Sequence, residues 1–127
     1  MIALPMPLLL AASFALCGAS ARVTCVVDGD TFWLEGEKVR IADINAPETH
    51  QAMCDAERVR GKQATLRLLA LLNAGPFDLV SQGRDTDRYG RLLRIVKRGG
   101  TSIGGRLVAE GLAEHWSGKR GDWCQTG

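Results

Sequence analysis

Three strand-like runs, one long helical run, two further strand-like runs and a short helical run succeed one another along this chain. That order predicts a mixed, mainly β α+β domain, a small closed or partly closed β-barrel with helices packed on it. Two observations carry the prediction. Between residues 23 and 44 short apolar runs are broken by Asp28-Gly29 and Glu35-Gly36-Glu37, pairs suited to tight turns. From Asp55 to Asn73 the apolar spacing changes to that of a helix, and Gly75-Pro76 stops it.

The elements follow in order. Residues 23–27 and Thr31–Leu34 flank the first turn, and residues 39–44 form the third strand. The long helix presents Val59, Ala64, Leu68, Leu69, Leu71 and Leu72 as its expected apolar face. Phe77 and Leu79 alternate with polar neighbours as a fourth strand, and residues 92–96 read as a fifth. A short helix over 102–110 ends at Gly111. With 127 residues, 46% of them hydrophobic and 24% charged, the chain accommodates one domain and one modest core. The net charge of +2 permits a nucleic-acid partner without requiring one.

Residues 2–21 contain no Lys, Arg, Asp or Glu and end in Ala19-Ser20-Ala21, a small-x-small pattern. They read as a secretory leader (residues 1–21) cleaved after Ala21, which leaves a mature domain of residues 22–127 in the periplasm or outside the cell. The alternative is a membrane anchor formed by residues 2–21. Cleavage removes Cys17 and leaves Cys25, Cys54 and Cys124, an odd number in an oxidising compartment. Cys54 with Cys124 is the expected pair, because it ties the tail beyond Trp116 to the start of the long helix. Cys25 then stays unpaired or bonds a second chain. Zinc is disfavoured, since there is no CxxC and neither His50 nor His115 has ligand-like spacing.

Three short motifs remain: DGDT at 28–31, RIADINAPE at 40–48 and DRYGR at 87–91. Each alone reads as an ordinary turn, strand exit or polar connection. In this order and spacing the chain resembles the staphylococcal nuclease (thermonuclease) family of OB-fold phosphodiesterases. The resemblance covers residues 25–114, including Gly61, Ala64 and the helix leucines. It implies a five-stranded OB-fold barrel with a central helix and a short C-terminal helix. It also implies roles. Asp30 matches a calcium-binding aspartate, with Asp28 in support; Arg40 and Arg91 match the arginines that grip the scissile phosphate; Glu48 matches the carboxylate that activates water. Ala46 matches a position whose backbone carbonyl ligates calcium, and Arg88 and Tyr89 match positions beside the phosphate.

The residue types suit that chemistry independently. Attack on a phosphodiester accumulates negative charge on oxygens that planar, permanently charged guanidinium groups can hold. Hard oxygen donors suit Ca2+, and a free carboxylate can take a proton from water. One departure is evident: the family's second metal-binding aspartate is Asn45 here, which ligates without charge. Asp43, two residues away, is a candidate to compensate if the two share a strand face. A second departure is the short tail, which lacks the long C-terminal helix of the type member. His115 and Trp116 are candidates for base stacking or for packing. Lys97, Arg98, Lys119 and Arg120 read as solvated charge with some capacity to attract phosphates.

The expected function is therefore an exported, calcium-dependent endonuclease acting on DNA and RNA with low sequence specificity, monomeric and without a stable protein partner. The alternative is a non-catalytic OB-fold module that binds nucleic acid or protein, because Asn45 has replaced a metal-binding acid.

Overall fold

A computed structural model describes residues 13–124. The strands are β1 (Ala15–Leu16), β2 (Cys25–Asp28), β3 (Thr31–Leu34), β4 (Glu37–Ile41), β5 (Ile44–Asn45), β6 (Asp78–Val80), β7 (Leu92–Arg98), β8 (Thr101–Ser102) and β9 (Glu114–His115). The helices are α1 (Asp55–Asn73) and α2 (Ile103–Ala109).

Strands β2, β3 and β4 form an antiparallel meander, as the turn pairs predict. The β3–β4 turn places Glu35 at φ 51° and Gly36 at φ 85°, the two left-handed positions that a two-residue hairpin requires. Strand β4 then pairs in parallel with β7, which carries β6 and β8 antiparallel. Among the described residues the principal strand path runs β1-β2-β3-β4-β7-β6, and β5 pairs separately with β9. Among the described residues the sheet is mixed and does not close, so the α+β class holds and the closed or partly closed five-stranded barrel expected is not confirmed.

Among the described residues no ladder joins β6 to β1 or β2, and the third strand is also shorter than expected. The expected third strand is interrupted after Ile41, where the Ala42 amide donates to the Arg94 carbonyl at 2.8 Å and ends the β4 ladder. Arg40 folds back so that its Nη1 donates to the carbonyls of Ile41 and, at 2.9 Å, of Ile44. Beyond this bend the chain enters β5 and pairs with β9 instead of continuing the sheet.

The core lies between the sheet and α1. Val26, Phe32, Val39, Ile41, Ile44, Leu68, Leu72, Val96 and Leu107 are fully or almost fully buried. On α1, Ala64, Leu68, Leu71 and Leu72 face inward as expected and Leu69 packs at the margin. Val59 does not: it is exposed, and the inward stripe is continued by Glu57 and Gly61. The helix approaches too closely there for a larger residue, since a Cβ on Gly61 would lie 2.5 Å from the Glu48 carbonyl oxygen. A Cβ on Gly29 would likewise meet the Cβ atoms of Ala64 and Ala46 at 2.7 and 2.8 Å. These two glycines seat the first two motifs against the helix.

Residues 1–12 of the expected leader lie outside the described residues, whereas residues 13–21 belong to the structure. Strand β1 pairs in parallel with β2. Phe14 is buried and makes an edge contact with Phe32 at 5.8 Å between ring centroids, with Phe77 alongside. Its amide donates to Asn73 Oδ1 at 2.8 Å, and Asn73 Nδ2 donates to its carbonyl at 3.0 Å. Cys17 is bonded to Cys25 in the full chain, in which all four cysteines pair; removal of residues 1–21 would take Cys17 away and leave Cys25 as the odd cysteine expected. The expected Cys54–Cys124 disulfide is present, with a sequence separation of 70. Among the described residues no helix is long and apolar enough to cross a membrane.

Candidate functional site

The β2–β3 turn, the β5 exit and the loop before β7 each carry one motif, and the strand order brings all three to one cleft of about 690 Å³. Asp28, Asp30, Arg40, Asn45, Glu48, Arg88, Tyr89 and Arg91 all line it.

Among the acids that line the cleft Asp30 is the most deeply set, with 4% exposure. Its Oδ1 accepts from the Thr31 hydroxyl at 3.0 Å and its Oδ2 from the Ala46 amide at 2.9 Å. Arg40 Nη2 lies 3.5 Å from the same Oδ2, so the first and second motifs are joined through this carboxylate. Asp28 caps the turn by accepting from the Asp30 amide at 3.2 Å. Burial, with Asp30 and Glu48 close by, pushes the Asp28 carboxyl up to about 8. Burial and the Asp30 charge also raise Glu48, against the opposing pull of Arg120 and Arg40. A carboxylate with a raised pKa is better matched to proton transfer near neutral pH.

Asn45 is buried at the edge of the cleft. Its Nδ2 donates to Glu114 Oε2 at 3.0 Å, which leaves the amide oxygen as its acceptor for the cleft. Ala46 is buried and is not itself one of the residues that line the cleft. Asp43 is not brought to the cleft with the other motif residues. The bend after Ile41 separates it from Asn45, and its Oδ2 instead accepts from the Ser102 hydroxyl at 2.7 Å, at the N-terminal cap of α2.

Arg91 is braced by Asp87, whose Oδ2 accepts from Arg91 Nε at 2.7 Å and whose Oδ1 accepts from the Arg91 and Tyr89 amides. Burial opposes ionisation of Asp87, yet these bonds hold its pKa below the usual carboxylate range. The guanidinium groups of Arg88 and Arg91 lie 5.1 and 5.3 Å from the exposed Tyr89 ring, on which they stack. Trp116 also lines the cleft, with Arg40 at 5.7 Å from its ring. His115 does not; it pairs with Ile44 in the β5–β9 ribbon.

Sequence reasoning missed Glu57. This residue is 2% exposed and receives the Glu48 amide on Oε2 and the Met53 amide on Oε1, each at 2.9 Å. Burial alone would raise its pKa, but those amides and Arg120 outweigh the cost and hold it low. Glu57 therefore fixes the backbone from which the Glu48 side chain projects. The available signal was its place on the helical stripe with Gly61, Ala64 and Leu68. Asp87 stood in the third motif without a role assigned to it, and Arg120 was visible only as one of several charged residues.

The donor chemistry fits a hard cation. Asp28, Asp30 and Glu48 gather three carboxyl groups in a partly buried space, and Asn45 lines the same cleft. Among the described residues no group of three or more His, Cys, Asp or Glu side chains is placed to hold a metal, so these carboxyl groups do not by themselves make such a site.

A family model described as staphylococcal nuclease homologue matches residues 38–124. The chain is 36% identical over 93 residues to the succinoglycan biosynthesis protein ExoI of Rhizobium meliloti, covering 69% of this chain and 48% of that protein. It is 36% identical over 92 residues to endonuclease YncB of Bacillus subtilis, covering 68% of this chain and 43% of that one. The same identity and length relate it to the SPbeta prophage-derived endonuclease YokF of Bacillus subtilis, of which 31% is covered. The chain spans less than half the length of these curated relatives.

Proposed function

The chain belongs to the staphylococcal nuclease homologue family, and from that membership we propose that it is an exported, calcium-dependent nuclease hydrolysing phosphodiester bonds of DNA and RNA with little sequence preference. The observation that carries this reading is the single cleft in which Glu48, Arg40 and Arg91 meet beside Asp28 and Asp30. The two disulfides and the apolar residues ahead of Phe14 support export. The relatives named as endonucleases support the reaction class.

In the proposed reaction Glu48 takes a proton from water as the water oxygen attacks phosphorus. The bond to the 5′ oxygen breaks, that oxygen takes up a proton from solvent, and a 3′-phosphate end remains. Arg40 and Arg91 hold the phosphate oxygens on which charge accumulates, a task suited to guanidinium groups fixed in advance by Asp30 and Asp87. Glu57 keeps the Glu48 backbone in place through the amide bond at 2.9 Å. Asp30, the Asn45 amide oxygen and the Ala46 carbonyl would hold Ca2+, with Asp28 in support. When bound, the ion polarises the phosphate and neutralises the crowded acids.

A calcium titration of single-stranded DNA and RNA cleavage, with chelator and Glu48→Gln as controls, tests the proposal. Cleavage that rises with calcium and falls by at least ~10²-fold in Glu48→Gln is the expected result. Nucleic-acid binding without cleavage at any calcium level would establish the alternative favoured by Asn45, a binding module on a nuclease scaffold.

A further inference from the structure

The tail after Trp116 has neither helix nor strand through its described residues, yet it is anchored at several points. Cys124 is bonded to Cys54, the residue that caps α1. The Trp123 ring lies 5.8 Å from the Arg60 guanidinium, and the Gly121 amide donates to Glu114 Oε2 at 2.6 Å. Arg120 sits inside this frame. Its Nη2 is 3.2 Å from Glu57 Oε2 and 3.9 Å from Glu48 Oε2, and the residue lines the same cleft as Arg40 and Arg91.

We propose that Arg120 is a third cationic contact to the nucleic-acid backbone, carried to the cleft by the disulfide-anchored tail and aimed by the buried Glu57 carboxylate. The proposal rests on the nuclease reading of this cleft. Two observations separate Arg120 from an ordinary surface charge. First, Glu57 already accepts two backbone amides, so its oxygens are satisfied apart from Arg120. Second, the Arg120 side chain remains 47% exposed and makes its contacts to Glu57 and Glu48 through Nη2. A guanidinium has five N–H donors in a fixed fork, so Nε and Nη1 can meet a phosphate while Nη2 stays on Glu57. Arg98, by contrast, is consumed by the carbonyls of Gly75 and Pro76, just beyond the C-terminal end of α1.

The test measures binding of a single-stranded oligonucleotide to Glu48→Gln protein across a salt series, and cleavage kinetics with Glu48 intact. Arg120→Gln and Arg120→Lys are compared in both settings. A lost phosphate contact flattens the slope of log affinity against log salt by about 0.7 for a single strand. The expected result is that flattening in Arg120→Gln, a KM raised on the order of tenfold with kcat within about twofold, and a slope restored by Arg120→Lys. Cys54→Ser with Cys124→Ser should flatten the slope equally, and adding Arg120→Gln should change it no further. An unaltered slope and KM in Arg120→Gln, with only a lower melting temperature, would confine Arg120 to neutralising Glu57 and overturn the proposal while cleavage persists. If the unsubstituted protein neither binds nor cleaves, the nuclease reading itself falls.

Discussion

The Asn45 amide nitrogen stands 3.0 Å from Glu114 Oε2, so replacing this residue with aspartate does more than add one charge to the cleft. Asn45→Asp alone would set two carboxylates against each other, with an expected loss of about 1–3 kcal/mol for the broken buried contact. Pairing it with Glu114→Gln supplies a donor again. The double variant should recover stability and lower the calcium concentration for half-maximal cleavage by roughly tenfold, since an added carboxylate tightens a calcium site. A midpoint unchanged in the double variant would show that Asn45 does not face the ion. At this scale the site was largely legible in the sequence, because Asp28, Asp30, Arg40, Asn45, Glu48 and Arg91 fall within contiguous motifs. Asp43 was not legible. Its expected position assumed an unbroken strand, and the bend after Ile41 turns it to Ser102.

Among the elements, β1 bears on where the folded domain starts. A chain beginning at Arg22, the expected mature form, would lack Phe14 and the partner of Cys25. Loss of a buried Phe side chain costs about 3–5 kcal/mol. A chain beginning at Ser13 should therefore unfold at a clearly higher denaturant concentration than one beginning at Arg22. Equal midpoints would make residues 13–21 a passenger. The intact mass of exported protein would then show which side of Phe14 is cut. The sequence left this open because a small, apolar stretch is common to secretory leaders and to buried edge segments. The long helix was legible from end to end. Its inward face was misjudged at one turn, where Gly61 and Glu57 serve the Glu48 loop and Val59 faces solvent.

Across the molecule, Glu57 ties together α1, the loop bearing Glu48 and the tail bearing Arg120. Its folded pKa is depressed, as is that of Asp87, the brace of Arg91. Because the folded state holds these protons less tightly than the unfolded chain, both contributions are fully present above the ordinary carboxylate values of 4.5 and 3.8. They are lost as pH falls through the depressed folded values. The melting temperature should accordingly decline below about pH 4.5, and Glu57→Gln should flatten that decline. A decline of undiminished steepness in Glu57→Gln would place the acid sensitivity elsewhere. The Cys54–Cys124 bond acts at the same scale. Closing a loop of separation 70 restricts the unfolded chain by roughly 4 kcal/mol on the entropy account, a large share for so small a core.

By itself the sequence determined the order of elements, the family and the motif residues that line the cleft. Each is written locally, in apolar periodicity, turn pairs and motifs a few residues long. Only the tertiary structure decided that the sheet does not close among the described residues, that β1 pairs with β2 and Cys17 with Cys25 in the full chain, and which charges support the cleft. Those outcomes depend on partners far apart in the chain: Phe14 and Asn73 are 59 residues apart, as are Asp43 and Ser102, and Glu57 and Arg120 are 63 apart. No local pattern specifies such pairings. They are selected when packing of α1 against the sheet brings the cleft, the helix and the tail within hydrogen-bonding reach of one buried carboxylate.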